Sequence, residues 1–172
     1  MAQRPDAAFR RQFCGMVMKR KLTVRLASPR GFCAGVERAI RTVEEALSIH
    51  GPPVYVRHQI VHNSHVVARL EAMGAVFVED VADAPADRPL IISAHGAPTA
   101  VNAAAAARSI ELIDATCPLV KKVHAQARRQ WLKGRHVLLI GHAGHPGAAG
   151  TTGEAPACAI THNPLVDAAA SF

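Results

Sequence analysis

The sequence predicts an α/β fold built from repeated βα units with mainly parallel sheets, and three observations carry that reading. Short runs rich in Val, Ile and Leu recur along the chain, each followed by a longer stretch with helical periodicity. Strands alternating with helices of about 10–15 residues are the pattern of parallel sheets joined by right-handed crossovers. Apolar residues make up 49% of the 172, yet only five Phe, one Tyr and one Trp are among them, so the core must be mainly aliphatic. Finally, Gly and Pro clusters such as His50-Gly51-Pro52-Pro53 close the helical stretches where a crossover would turn back.

Taken in order, residues 22–27 read as the first strand and 36–48 as the first helix, with Val36, Ala39, Ile40, Val43, Ala46 and Leu47 on its buried face. Residues 54–57 make a second strand. Asn63 or Ser64 can cap a helix carrying Val66, Val67 and Leu70 that ends near Gly74. Strands follow at 75–78 and 90–94, then an alanine-rich helix at 100–108 and a strand at 110–113. Pro118 suits the first turn of a helix running to about Leu132, and a strand at 136–140 leads into a glycine-rich turn, 141–147. Beyond Gly150 the sequence has neither a clear strand nor a helical period. The expected organisation is a flexible basic extension at 1–21, a first α/β unit at 22–117, a partial second unit at 118–150 and an irregular tail at 151–172. Met18 is an alternative start within the extension.

A formal charge of +7 favours anionic partners. The basic runs are not interleaved with aromatics that would stack on bases, so nucleic acid is not expected. No apolar run reaches membrane-spanning length, and no membrane association is expected. Four widely spaced cysteines at 14, 33, 117 and 158 do not resemble a secreted disulfide scaffold, which places the chain in the reducing cytoplasm.

The residues that can carry chemistry stand where strands end. Cys33, in Arg30-Gly31-Phe32-Cys33-Ala34-Gly35, and Cys117, in Asp114-Ala115-Thr116-Cys117-Pro118, each sit at a strand-to-helix turn. Backbone N–H groups and the positive end of a helix dipole meet there, a setting that suits thiolate sulfur. A shared metal site, a catalytic thiol and a semi-buried packing role all remain open for the pair. His62, His95 and His145 fall at equivalent strand ends, where an imidazole can donate to a diphosphate oxygen or merely to a loop carbonyl. In parallel sheets such loops gather along one edge, and that convergence says more than any single residue. His58 and His142 form spaced pairs with His62 and His145 but complete no zinc motif, so structural roles are expected for both. Cys14 and Cys158 lack the strand-to-helix setting. Asn63 and Thr116 are read as caps or as groups that orient a ligand, and Arg30 as a charge partner or a solvated side chain.

Five segments taken together resemble the 4-hydroxy-3-methylbut-2-enyl diphosphate reductase family, also called IspH or LytB. They are residues 28–40, residues 56–63, Ser93-Ala94-His95-Gly96, residues 114–120, and Gly141-His142-Ala143-Gly144-His145-Pro146. The resemblance runs in order from about Thr23 to Gly153 and covers roughly the first half of a family member. It implies the first unit and part of the second of a three-unit trefoil around a 4Fe-4S cluster. It further implies reductive dehydroxylation of 4-hydroxy-3-methylbut-2-enyl diphosphate to isopentenyl and dimethylallyl diphosphates in the non-mevalonate isoprenoid pathway. Electrons would come from ferredoxin or flavodoxin. By the same resemblance Cys33 and Cys117 are two of three cluster ligands, and His62, His95 and His145 serve the substrate diphosphate and a proton network. The sequence departs from the family in two places. Gly147 occupies the position of the family's proton-delivering glutamate, with Glu154 seven residues away, and the third cysteine-bearing unit is absent. The resulting expectation is a truncated homologue that does not turn over alone. A non-catalytic diphosphate-binding α/β module, or the product of a decayed gene, is the alternative.

Overall fold

Strand β1 (Val54–Arg57) is the centre from which the fold of the computed structural model is built; the structure describes residues 23–156 and 158–161. It is preceded by helix α1 (Ala34–His50) and followed by α2 (Ser64–Ala72), β2 (Ala75–Val78), a 3-10 turn (Val81–Asp83) and β3 (Leu90–Ile92). Then come α3 (Thr99–Ala107), β4 (Leu112–Asp114), α4 (Pro118–Leu132), β5 (Leu138–Ile140), α5 (Pro146–Glu154) and β6 (Ala159–Thr161). The first four strands form one sheet in the order β2-β1-β3-β4, and every pairing is parallel. Residues β5 and β6 form a separate parallel pair.

Period-two alternation decides which face each side chain covers. Val54, Val56 and Ile91 join Ala39, Ile40, Val43 and Leu47 of α1 and Val66 and Leu70 of α2 in one core. Leu90 and Ile92 point the other way, toward Val101 and Ala105 of α3, with Tyr55 and Leu112 against them. Helices therefore cover both faces, which is why β1 and β3 are aliphatic at every core position. Asn63 caps α2: its side-chain oxygen accepts from the N–H groups of His65 and Val66, both at 3.1 Å.

Two expectations require correction. Residues 23–27 carry no strand; Val24 and Leu26 are exposed, and a strand without a ladder partner leaves its backbone groups to water. The stretch from 146 is also more regular than its sequence indicates, because α5 runs through to Glu154 and β6 pairs with β5. The basic extension, Cys14 and Met18, together with residues 162–172 of the tail, lie outside the described residues.

Candidate functional site

The sheet order reverses between β1 and β3, so the connections leaving these two strands diverge and open a crevice at their C-terminal ends. Backbone hydrogen bonds lace the loops of that edge together. The Ala94 N–H donates to the Ile60 carbonyl at 3.2 Å, and the Cys117 N–H donates to the Ala94 carbonyl at 3.1 Å. The loop after β1, which carries His62, is thereby tied to the loop with His95, and that one to the turn with Cys117.

Three imidazoles meet here. His62 Nε2 lies 3.1 Å from His145 Nε2, and the His95 ring sits 4.2 Å from that of His62 and 5.7 Å from that of His145. His145 is the N-cap of α5, and its Nδ1 accepts the Gly147 N–H at 3.1 Å. That bond fixes the proton bookkeeping. With both rings neutral, His145 must carry its proton on Nε2 and donate it to His62, whose own proton is then on Nδ1. His62 and His145 are exposed, whereas His95 is half-buried and its Nε2 is a buried atom without a partner. Burial, and then the neighbouring His62, His145 and His58, push the His95 pKa down to about 4. At neutral pH His95 is therefore an uncharged ring with one buried, unpartnered nitrogen.

The cysteines cap the two helices that flank the crevice, Cys33 preceding α1 and Cys117 preceding α4. Neither thiol makes a side-chain cap bond. A Cβ added at Gly35 would stand 2.5 Å from Cys117 Sγ and 3.9 Å from Cys33 Sγ, so the sulfurs are no farther apart than those two distances combined. Glycine is required at 35 because any side chain would drive into the Cys117 sulfur. Arg38, one turn into α1, donates to the Thr116 carbonyl at 3.1 Å and the Asp114 carbonyl at 3.3 Å. It holds the two cysteine-bearing turns together. Asp114 tightens the second turn by accepting the Thr116 N–H at 2.8 Å and pairing with Lys121 at 2.5 Å. Burial pushes the Asp114 carboxyl up, but the bonds from Lys121 and Thr116 outweigh it and hold the group below the usual range.

The sulfurs of Cys33 and Cys117 are two soft donors brought near one another. Among the described residues no group of three or more His, Cys, Asp or Glu is placed to hold a metal. Cysteine-rich clusters take three or four protein ligands, so the residues present fit such a group as two of its ligands and not as a complete cradle.

Other sequence candidates have plainer roles. His58 bonds Glu79 at 2.8 Å, His142 supplies a carbonyl to the His145 N–H, and Arg30 reaches the Ala27 carbonyl at 3.5 Å. Cys158 follows α5, and burial raises its thiol pKa. His124, which sequence reasoning missed, is buried on α4 directly behind the His95 loop. Its pKa is lowered by burial, against the pull of Glu154 and Asp114. Its only local signal was helical spacing from Ala127, the other buried residue of α4.

The model of the LytB protein family matches residues 24–170. The chain belongs to the LytB family. It is 56% identical over 157 residues to the 4-hydroxy-3-methylbut-2-enyl diphosphate reductase of Hyphomonas neptunium, covering 91% of this chain and 50% of that one. With the reductase of Phenylobacterium zucineum it shares 61% over 139 residues, covering 81% and 44%. The solved structure of the Plasmodium falciparum reductase superposes with a TM-score of 0.77 at 45% identity, over 80% of this chain and 44% of that one. The chain thus spans about half the length of the LytB relatives it matches, and its α/β fold with parallel sheets is theirs. Among the described residues no helix is long and apolar enough to cross a membrane.

Proposed function

We propose that this chain forms the diphosphate-receiving face of a 4-hydroxy-3-methylbut-2-enyl diphosphate reductase site and supplies two of its cluster thiolates. The observation that carries the reading is the meeting of His62, His95 and His145 at the switch point of the sheet, on the edge where Cys33 and Cys117 converge. A ring N–H can donate to a phosphate oxygen, and the N-terminus of α5 adds its dipole. His62 as its Nδ1–H tautomer, and His95 if its unpartnered Nε2 carries the proton, would be the donors that orient the anion. Cys33 and Cys117 would hold a 4Fe-4S cluster in part; such a group, when bound, supplies a Lewis-acidic iron and electrons. Ferredoxin or flavodoxin is the proposed electron donor, in the cytoplasm.

Turnover needs a proton source as well, and Gly147 has no side chain to provide one. Glu154 stands at the far end of α5, where it faces His124 rather than the cluster of three. Diphosphate capture without turnover is accordingly the behaviour we assign to the described residues alone. Isothermal titration of the anaerobic chain with inorganic pyrophosphate tests this. Saturable binding that disappears in a His62→Ala/His95→Ala/His145→Ala variant is expected; equal binding by that variant, or none by the natural sequence, would refute it.

A further inference from the structure

His124 has no part in the site described so far, yet it touches both segments that deliver its histidines. A Cβ added at Gly96, the residue after His95, would lie 2.7 Å from His124 Cε1. A Cβ added at Gly150, in the helix capped by His145, would also lie 2.7 Å from that atom and 2.9 Å from Nε2. The same position is 3.5 Å from the His95 carbonyl oxygen. The imidazole of His124 is therefore the wedge at which the His95 loop and α5 pass one another. Gly96 has a positive φ of 77° and no room for a side chain, so neither its conformation nor its contact with the ring can change cheaply.

On its other side the ring lines a cavity of about 670 Å³, together with Asp114, Lys121 and Glu154. His124 Nε2 is buried without a hydrogen-bond partner. Burying a polar group without a partner is costly, so an aliphatic side chain of similar volume would serve the core better. Gly150 and the N-cap His145 are little more than one turn of α5 apart, so a shift at Gly150 is carried to the first turn and hence to His145. The link from wedge to cluster thus runs through backbone alone.

We infer that His124 is a positioning residue: wedged between Gly96 and Gly150, its ring sets the spacing of His95 and His145 and so the geometry of the imidazole cluster. The inference rests on the proposed diphosphate role of that cluster for its function, but not for its test. Long-range proton–nitrogen NMR of the histidine-labelled full chain reads the tautomers directly. The natural sequence shows His145 protonated at Nε2 and His62 at Nδ1. In His124→Ala both rings lose their single tautomer and average between forms, and pyrophosphate binding weakens about tenfold, the worth of one positioned hydrogen bond. His124→Gln, planar and of similar reach, restores most of both. Gly150→Ala presses on the wedge from the opposite side and moves the same signals, which decides the matter should His124→Ala fail to fold. Unchanged tautomers in Gly150→Ala and in whichever His124 variants fold, with binding within twofold, would overturn the inference. Absence of pyrophosphate binding by the natural sequence would instead strike the functional proposal, leaving the tautomer comparison to decide the role of His124.

Discussion

The four-stranded sheet and the two-stranded sheet of this chain are built from similar aliphatic residues but bury them very differently. Val54, Val56, Leu90 and Ile91 of the larger sheet are 0% exposed, enclosed by helices on both faces. In the smaller sheet Leu138 is 44% exposed and Ile140 62%. A pair of strands has little independent stability, since each has one neighbour and no closed core. The contrast matters for the site because its parts are unequally supported. His62, His95 and Cys117 ride on loops leaving the larger sheet, and the backbone bonds through Ile60 and Ala94 fix them to one another. His145 arrives from the smaller sheet, on a helix rich in glycine, and is held by its contacts with His62 and, through Gly150, with His124. The lesson is that one histidine of three depends on contact with the others rather than on its own scaffold.

Substitutions that separate the two sheets come first. Ile91→Ala removes a fully buried side chain and is expected to cost about 2–5 kcal/mol in urea unfolding, whereas Ile140→Ala should stay within about 0.5 kcal/mol. Comparable losses at both positions would erase the distinction. Next in size is Gly35→Ala, where the added methyl collides with the Cys117 sulfur and must displace it, an overpacking cost of about 1–3 kcal/mol. Its unfolding curve should shift accordingly; a variant as stable as the natural sequence would mean that the turn has room the structure does not give it.

Protonation is expected to act on the cluster side of the comparison. Since the folded pKa of His95 is about 4 and the ordinary value 6.5, unfolding takes up a proton between those pH values. The contribution of His95 is full above about pH 6.5, declines as the pH falls toward 4 and is gone below it. His124, whose pKa is also lowered, adds to the same slope. Urea midpoints measured from pH 7.5 to 4.5 should fall less steeply in His95→Gln; an identical slope in the variant would show that His95 is not shielded. Asn63→Ala removes the cap of α2 and should cost about 1 kcal/mol, seen as a shift in the thermal midpoint.

Much of this arrangement was legible because strand ends announce themselves. The aliphatic runs at Val54–Arg57 and Leu90–Ile92 each stop at a polar loop bearing a histidine, and Pro118 marks the start of α4 directly after Cys117. What the sequence hid was determined by contacts distant along the chain. Helix α5, with the sequence Pro-Gly-Ala-Ala-Gly-Thr-Thr-Gly-Glu, has no apolar stripe. Its glycines make sense only because side chains at 150 and 153 would run into His124 and Pro98. β6 is three residues long, too short to display a period. At residues 23–27 the alternation of Val24 and Leu26 imitated a strand, but alternation cannot supply a neighbouring ladder. His124 was invisible for the same reason as α5, since each explains the other.

The claim on which the account depends is that Cys33 and Cys117, 84 residues apart, bring their sulfurs together over Gly35 at the edge of the sheet. The most direct measurement treats a Cys14→Ser/Cys158→Ser variant, under reducing and then anaerobic conditions, with dibromobimane, a short two-armed thiol reagent that fluoresces strongly once both arms have reacted. Rapid fluorescence with a mass increase of a single bridged adduct, abolished by either Cys33→Ser or Cys117→Ser, is the predicted result. Two separate single-arm adducts in the folded protein, with no bridge, would contradict it.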